Sequence, residues 1–486
     1  MESYGIWSLL PPVTALGLAI WKKQIYPALL LGVWMGWWVL EDWNPIAAVG
    51  ASITSVVAVF ADGGSTRIIL YSLLVGSVLT LMSATGGVEG FVQWVGKRGW
   101  VNNRRQAQLV PFFLGILITV ESSITALIAG TVGRPLTDRY RVSREKLAYI
   151  CDSTSAPICM LVPFNGWGAL VIGLLGVAGV DSPVATLFSS LLWNFYPMLA
   201  IIIVLATILT GREMGPMRGA EQRAQDEGLL MAPGAHPMVG EAVLGVDTLA
   251  DLKPRPLNLV LPVVTLIVGI VAGIFLTGRA EAGAGAGLWD LVKASSGSTA
   301  VLWAVLASLV VLAVLNVPLL PGSRVRRGRL PAQSFLDLSF QGMGGMIPVV
   351  SLLVLAFALG DTVRELGTGL YVADLISGVA TGKGAVVGLF LLACVMAFAT
   401  GTSWGTFALM VPIAVPLAVA MDAHLPLYLA AVLGGGVFGD HCSPISDTSI
   451  ISSMASASDH IDHVRTQLPY ALIGATVAVL LYLVVA

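Results

Sequence analysis

Four acidic residues occupy places where acids are costly. Glu121 lies between Ile118-Thr-Val and Ser-Ser-Ile-Thr-Ala, and Asp152 follows Leu147-Ala-Tyr-Ile-Cys. Asp440 follows Gly434-Gly-Gly-Val-Phe-Gly, with Asp447 seven residues further on. An acid within an apolar span costs about 2.5–3.5 kcal/mol on insertion scales, so each is a candidate functional group. Hydroxyl residues accompany them: Ser122 and Ser123 beside Glu121, Thr154 after Asp152, Thr402 and Ser403 upstream of the later pair, and Ser443 between Asp440 and Asp447. One carboxylate with hydroxyl and carbonyl oxygens is a ligand set for a small hard cation such as sodium. Burial disfavours the charged form of an acid, so a buried carboxylate takes up either a proton or a cation. A site that must hold one or the other exchanges them when it is exposed alternately to two sides. His441 changes charge near neutral pH and could relay protons. The competing reading is that each acid caps a half-helix, as Asp before Ser or Thr does well, and that His441 is a hydrogen-bonded structural residue.

These groups need helices to hold them in lipid. Of 486 residues, 56% are hydrophobic and 11% charged, with mean hydropathy +0.86. Soluble chains carry roughly 25% charged residues, and 28 Asp and Glu with 26 Lys and Arg cannot cover a soluble body of this size. The chain therefore reads as a polytopic all-α membrane protein. A net charge of −2 offers no basic surface for nucleic acid. The four cysteines, Cys151, Cys159, Cys394 and Cys442, lack C-x-x-C spacing and read as packing residues. The N-terminal stretch from Gly5 to Trp21 has no basic segment before it and reads as a retained span.

A span needs about 20 apolar residues. The candidates are 5–21, 25–40, 45–61, 67–85, 157–177, 184–210, 257–277, 299–317, 341–360, 385–400, 405–421 and 466–486. With polar-interrupted stretches at 108–132 and 426–457, about 11–13 transmembrane segments are expected. The mixed-charge, Gly/Pro/Ala-rich stretch 211–256 reads as a mobile cytoplasmic linker. Of the 26 Lys and Arg residues, 18 fall in 86–107, 133–147, 211–256 and 318–333. All four loops share the cytoplasmic side if the N-terminus is inside and 108–132 re-enters without crossing. Trp34, Trp37, Trp38 and Trp43 cluster as an interfacial belt does.

The chain also repeats itself in layout. Glu121-Ser-Ser precedes Asp152-Ser-Thr-Ser-Ala-Pro157, and Gly401-Thr-Ser precedes Asp440-His-Cys-Ser-Pro444. Each copy has an apolar run, a hydroxyl cluster, a second apolar run, and an acid opening a Ser/Pro-rich break. On the topology above the two copies are inverted, a common transporter plan with its site at broken helices near midplane. The domain reading is then N-terminal helices 1–66, and a first repeat 67–210 with a re-entrant hairpin near 108–132 and a broken helix near 146–177. The linker 211–256 follows, then a second repeat region 257–486 with a hairpin near 385–421 and a broken helix near 426–457. Unwound backbone survives in hydrocarbon only where protein or water satisfies it, which frees its carbonyls for ions.

Other residues carry weaker signals. Asn165, Trp167 and Trp404 could line a substrate cavity, against a packing role for the aromatics. Asp459-His-Ile-Asp-His463 looks like a metal cluster, but beside Arg465 it reads better as a solvated helix end or interface network. The Gly434-Gly-Gly triplet reads as a place of close helix approach or bending.

The segment Gly439-Asp-His-Cys-Ser-Pro-Ile-Ser-Asp-Thr-Ser-Ile-Ile-Ser-Ser, continuing to Asp459-His-Ile-Asp-His-Val-Arg-Thr-Gln-Leu-Pro-Tyr470, closely resembles the signature of the NhaC-type sodium/proton antiporter family. Ala148-Tyr-Ile-Cys-Asp-Ser-Thr-Ser-Ala-Pro157, Val162-Pro-Phe-Asn-Gly-Trp167 and Leu9-Leu-Pro-Pro resemble its matching elements, so the likeness runs over most of the chain. It implies a multi-pass secondary transporter of the bacterial inner membrane, with no cofactor beyond sodium as coupling ion or substrate. By analogy with the wider ion-transporter superfamily, Ser122, Ser123, Thr402 and Ser403 at hairpin tips would join Asp152 and Asp440 around sodium. Transporters of this plan are often dimers, so a homodimer is compatible.

The reading that follows is sodium/proton antiport, with sodium and protons competing for midmembrane carboxylates. Ion ligands would be Ser122, Ser123, Asp152, Thr154, Thr402, Ser403, Asp440, Ser443 and Asp447. Proton-coupling groups would be Glu121, Asp152, Asp440 and His441. The alternative is sodium-coupled symport or exchange of an amino acid or small carboxylate, with Asn165, Trp167 and Trp404 at the solute. A membrane-embedded hydrolase using a serine and His441 is a third, weaker possibility, since a Ser nucleophile needs a base within reach.

Overall fold

The computed structural model describes residues 4–22, 25–96, 101–119, 121–236, 252–283, 285–317, 330–368, 371 and 382–486. Among them are helices and connecting turns, with no strand. Eight helices are long and apolar enough to cross a membrane, and nine if the bent pair Arg144–Leu161 and Gly166–Val177 counts as one span. Two spans read from hydropathy prove shorter or interrupted: 45–61 is an α-helix over Pro45–Ala58, and 184–210 divides into Pro183–Leu191 and Phe195–Thr210, while 25–40 is the helix Ile25–Leu40. The arginines at 324, 326, 327 and 329 lie outside the described residues.

The scaffold is formed by Gly63–Ala84, Leu257–Ala282, Gly297–Asn316 and Ala332–Gly345, which pack on one another. Two further groups of helices complete the bundle, the first packing on the scaffold through Gly166–Val177. The first holds the helix pair Arg104–Leu117 and Ser122–Arg139, then Arg144–Ser153, Ala156–Leu161 and Gly166–Val177. The second holds Gly382–Thr400 and Ser403–Ala420, then Leu425–Cys442 and Asp447–Ser456, and the long final helix His460–Val485. In the first pair the arms fold back: a Cβ at Gly133 would lie 2.9 Å from the Pro111 side chain. The units interlock, since Ser122–Arg139 packs on Asp447–Ser456 and Gly166–Val177 packs on Ser403–Ala420.

Glycine sets the closest approach. A Cβ at Gly435 would sit 2.4 Å from the Phe390 carbonyl oxygen, and one at Gly439 2.4 Å from that of Cys394. Leu425–Cys442 therefore lies backbone to backbone on Gly382–Thr400, as the glycine triplet suggested. Gly435→Ala is expected to destabilise the protein by about 1–3 kcal/mol, because no flexible side chain can yield there. A lowered thermal transition in detergent checks this; an unchanged one contradicts the packing.

The stretch 211–256 is not uniformly a loose linker. It contains the helix Gly215–Asp226, pinned by ion pairs described below, while 237–251 lie outside the described residues.

Candidate functional site

The two breaks form where sequence removes helical options. Arg144–Ser153 stops at Thr154 and Ser155, and Pro157 opens the short turn Ala156–Leu161. Pro163 follows, and Asn165 restarts the chain by capping Gly166–Val177. In the second unit Leu425–Cys442 ends before Ser443-Pro444, and Ser446 caps Asp447–Ser456. Asp152 and Asp440 each sit at the end of the helix entering a break, and both are buried.

Their surroundings differ. Asp440 is held within its own unit: Ser403 Oγ donates to Oδ2 at 2.6 Å and Ser446 Oγ to Oδ1 at 2.6 Å. Asp152 is held from the second unit. Its Oδ2 accepts from Ser449 Oγ at 2.9 Å and Gln467 Nε2 at 2.8 Å, and pairs with His463 Nε2 at 3.3 Å. Gln467 Nε2 also donates to the His441 carbonyl. One turn of the second half-helix thus touches both carboxylates, Ser446 holding Asp440 and Ser449 holding Asp152. His441 joins the breaks, its Nε2 3.0 Å from Ser153 Oγ and its Nδ1 2.7 Å from the Tyr196 hydroxyl.

Six buried polar atoms on these elements meet no partner among the described residues: Glu145 Oε2, Asp152 Oδ1, Trp167 Nε1, Ser452 Oγ, His463 Nδ1 and Gln467 Oε1. The Gln467 amide nitrogen is already engaged, so its oxygen is the open atom. The open atoms of Asp152 and Gln467 are therefore both acceptors. A buried acceptor without a donor costs about 1–3 kcal/mol, and more when charged. A proton or a cation removes that cost.

The other sequence candidates are placed less directly. Glu121 caps Ser122–Arg139, its Oε2 accepting from Ile124 N at 3.0 Å, while Ser122 and Ser123 donate to its Oε1 at 3.1 and 3.3 Å. These three bond to one another and not, among the described contacts, to Asp152. Thr154 Oγ1 returns to the Ile150 carbonyl at 2.7 Å. Thr402 is the residue before Ser403–Ala420, and its carbonyl accepts from Thr406 at 2.9 Å. Ser443 Oγ donates to the Phe398 carbonyl at 2.8 Å, tying the break to the preceding helix pair. Asp447 opens its half-helix, and its side chain lies outside the described set.

Asn165 is fully engaged: Nδ2 donates to the Thr119, Cys159 and Val162 carbonyls, and Oδ1 accepts from Trp167 N and Gly168 N. Trp167 is 1% exposed, with its ring 6.3 Å from Trp404 and 5.7 Å from Phe407.

The Asp459–His463 segment divides between a helix cap and a buried network. Asp459 caps the final helix and His460 bonds Ser453 and the Pro444 carbonyl, but His463 is fully buried at Asp152. His463 alone is withdrawn from the solvated end, its four predecessors being part-exposed or exposed. Among the described residues there is no group of three His, Cys, Asp or Glu fit to hold a metal ion. Sequence reading missed Ser446, Ser449, His463 and Gln467. A signal existed, since His460, His463 and Gln467 recur at i, i+3 and i+7, which aligns them on one face of the final helix.

At one end of the site lies an ionic clasp. Lys146, fully buried, pairs with Glu213 Oε1 at 2.8 Å and donates to Thr207 Oγ1 at 2.6 Å. Tyr470 donates to Glu213 Oε2 at 2.5 Å. Arg223 pairs with Glu145 at 2.7 Å, and Arg104 pairs with Glu221, which also accepts from Ser143 N at 2.8 Å. The helix Gly215–Asp226 is thereby fastened to the starts of Arg104–Leu117 and Arg144–Ser153.

Comparison with known proteins agrees with this architecture. A protein of Haemophilus influenzae, described as uncharacterized, is 34% identical over 495 residues, covering 99% of this chain and 91% of its own. The malate-2H(+)/Na(+)-lactate antiporter of Bacillus subtilis is 35% identical over 102 residues, 20% of this chain and 22% of that protein. The YdaH transporter of Alcanivorax borkumensis shares the fold at a TM-score of 0.56 and 13% identity, over 90% of this chain and 88% of that one. Residues 169–486 match the Na+/H+ antiporter family. The protein is a multi-pass membrane transporter and not an enzyme, and the chain belongs to the Na+/H+ antiporter family.

Proposed function

We propose that this transporter exchanges sodium for protons across a bacterial inner membrane, and that Asp152 is the carboxylate for which the two ions compete. The observation that carries the reading is the asymmetry of Asp152. Three groups hold Oδ2, while Oδ1 is buried with no partner among the described residues, and one of the three, Gln467, keeps its own amide oxygen open. A proton on Oδ1, or a sodium ion shared between Oδ1 and the Gln467 oxygen, satisfies the same atoms, so one excludes the other. Asp440, its two oxygens engaged by Ser403 and Ser446, fixes the second break so that Ser449 reaches Asp152. Exchange then requires the site to open alternately to each side, as two interlocked units with broken helices permit. Sodium-coupled movement of an organic solute has less support, because Asn165 and Trp167 are taken up by capping and packing.

The test is binding of radioactive sodium to the purified protein across a pH series. Bound sodium is expected to fall as pH falls, and to be lost in Asp152→Asn at every pH. Sodium binding that is independent of pH, or retained by Asp152→Asn, overturns the assignment.

A further inference from the structure

Outside the clasp, where Phe195–Thr210 gives way to Gly215–Asp226, lies a cavity of about 840 Å³. Gly211 makes the turn with φ +66°, a conformation that glycine adopts without strain. The floor is apolar, formed by Ile202, Ile203 and Ala206, with Ile202 60% exposed. The mouth carries Arg212 and Arg218, together with Gln222 and Gln225. Glu213 and Glu221 also line it, but both turn their charge inward, to Lys146 with Tyr470 and to Arg104 with Ser143. The two arginines are exposed, and neither makes an ion pair among the described residues. The cavity is thus apolar below and cationic above, at the end of a spanning helix, where hydrocarbon meets headgroups.

We propose that this cavity binds an anionic phospholipid, with its phosphodiester between Arg212 and Arg218 and an acyl chain along Ile202 and Ala206. Charge complementarity selects the lipid: two unneutralised arginines match an anionic headgroup, and the apolar floor matches a chain that free phosphate does not have. Arg212 precedes Glu213 of the clasp and Arg218 lies in the helix Gly215–Asp226. A phosphate bridging them holds that helix against Lys146 and Arg104, so lipid binding stabilises the closed clasp. The proposal needs only the membrane fold, and stands or falls apart from sodium/proton exchange.

The full-length protein, delipidated in detergent, would be titrated with dioleoyl phosphatidylglycerol or phosphatidylcholine and its bound lipid counted by native mass spectrometry. Phosphatidylglycerol is expected to be retained over phosphatidylcholine. Arg212→Gln and Arg218→Gln should each weaken it about fivefold, the worth of one basic residue at an anionic surface. Arg279→Gln, at an exposed arginine of another helix, should change nothing, and Arg212→Lys with Arg218→Lys should keep most of the binding, which separates lost charge from lost folding. Equal retention of the two lipids, unweakened binding in the doubly neutralised variant, or displacement by millimolar inorganic phosphate would each overturn the proposal.

Discussion

Asp152→Asn should leave the protein folded and end sodium-driven proton movement. The substitution keeps an oxygen where Ser449, Gln467 and His463 converge, so the contacts holding the breaks together survive. The position of Oδ1 can instead be taken by an amide nitrogen, which binds neither a proton near neutral pH nor a cation. Gln467→Ala should be graded: the carboxylate remains, but a supporting partner is gone, with a loss of about 10–100-fold in apparent sodium affinity. Asp440→Asn should fall mainly on stability, by about 1–3 kcal/mol, because it disturbs two buried hydroxyl bonds that fix the second break. Sodium titrations of flux in the three variants distinguish these outcomes. Equal effects of Asp152→Asn and Asp440→Asn on ion affinity would contradict the asymmetry between the two carboxylates.

The second large effect concerns Lys146. Glu213→Ala leaves its ammonium fully buried with the Thr207 hydroxyl and the faces of Tyr149 and Tyr470. Removing one partner of a buried pair costs about 3–5 kcal/mol, whereas replacing both by apolar residues of similar size is often neutral. Glu213→Ala is therefore expected to unfold at markedly lower denaturant, and Lys146→Met with Glu213→Leu to recover most of that loss. If Glu213→Ala unfolds within about 1 kcal/mol of the parent, as surface pairs do, the clasp is a surface contact and not a buried seal.

Much of this arrangement was legible in the sequence, for identifiable reasons. Acids preceding Ser/Pro-rich breaks in apolar surroundings mark unwound helices, and Asp152 and Asp440 stand at such breaks. The all-helical membrane fold followed from too few charges to cover a soluble body. Partnership across the two units was less accessible. Ser449 and Gln467 reach Asp152 from about 300 residues away along the chain, and nothing local to Asp152 names them. His463 was obscured by its neighbours, since a charged stretch at a helix start looks solvated although one side chain in it turns inward. The helix Gly215–Asp226 was hidden by composition: its apolar residues are few, and it is fixed by part-buried ion pairs. Hydropathy does not register that kind of anchoring. Glu121, Ser122 and Ser123 show the converse, a motif of the expected chemistry whose hydroxyls are engaged by the neighbouring carboxylate.

The most direct test of the central claim is flux in proteoliposomes holding an internal pH dye, with sodium added outside and no organic solute present. Sodium alone is expected to drive proton efflux in the parent protein, and Asp152→Asn to abolish it. Silence with sodium alone, followed by uptake of an amino acid or small carboxylate that requires a sodium gradient, would contradict exchange at Asp152 and make the protein a sodium-coupled solute transporter.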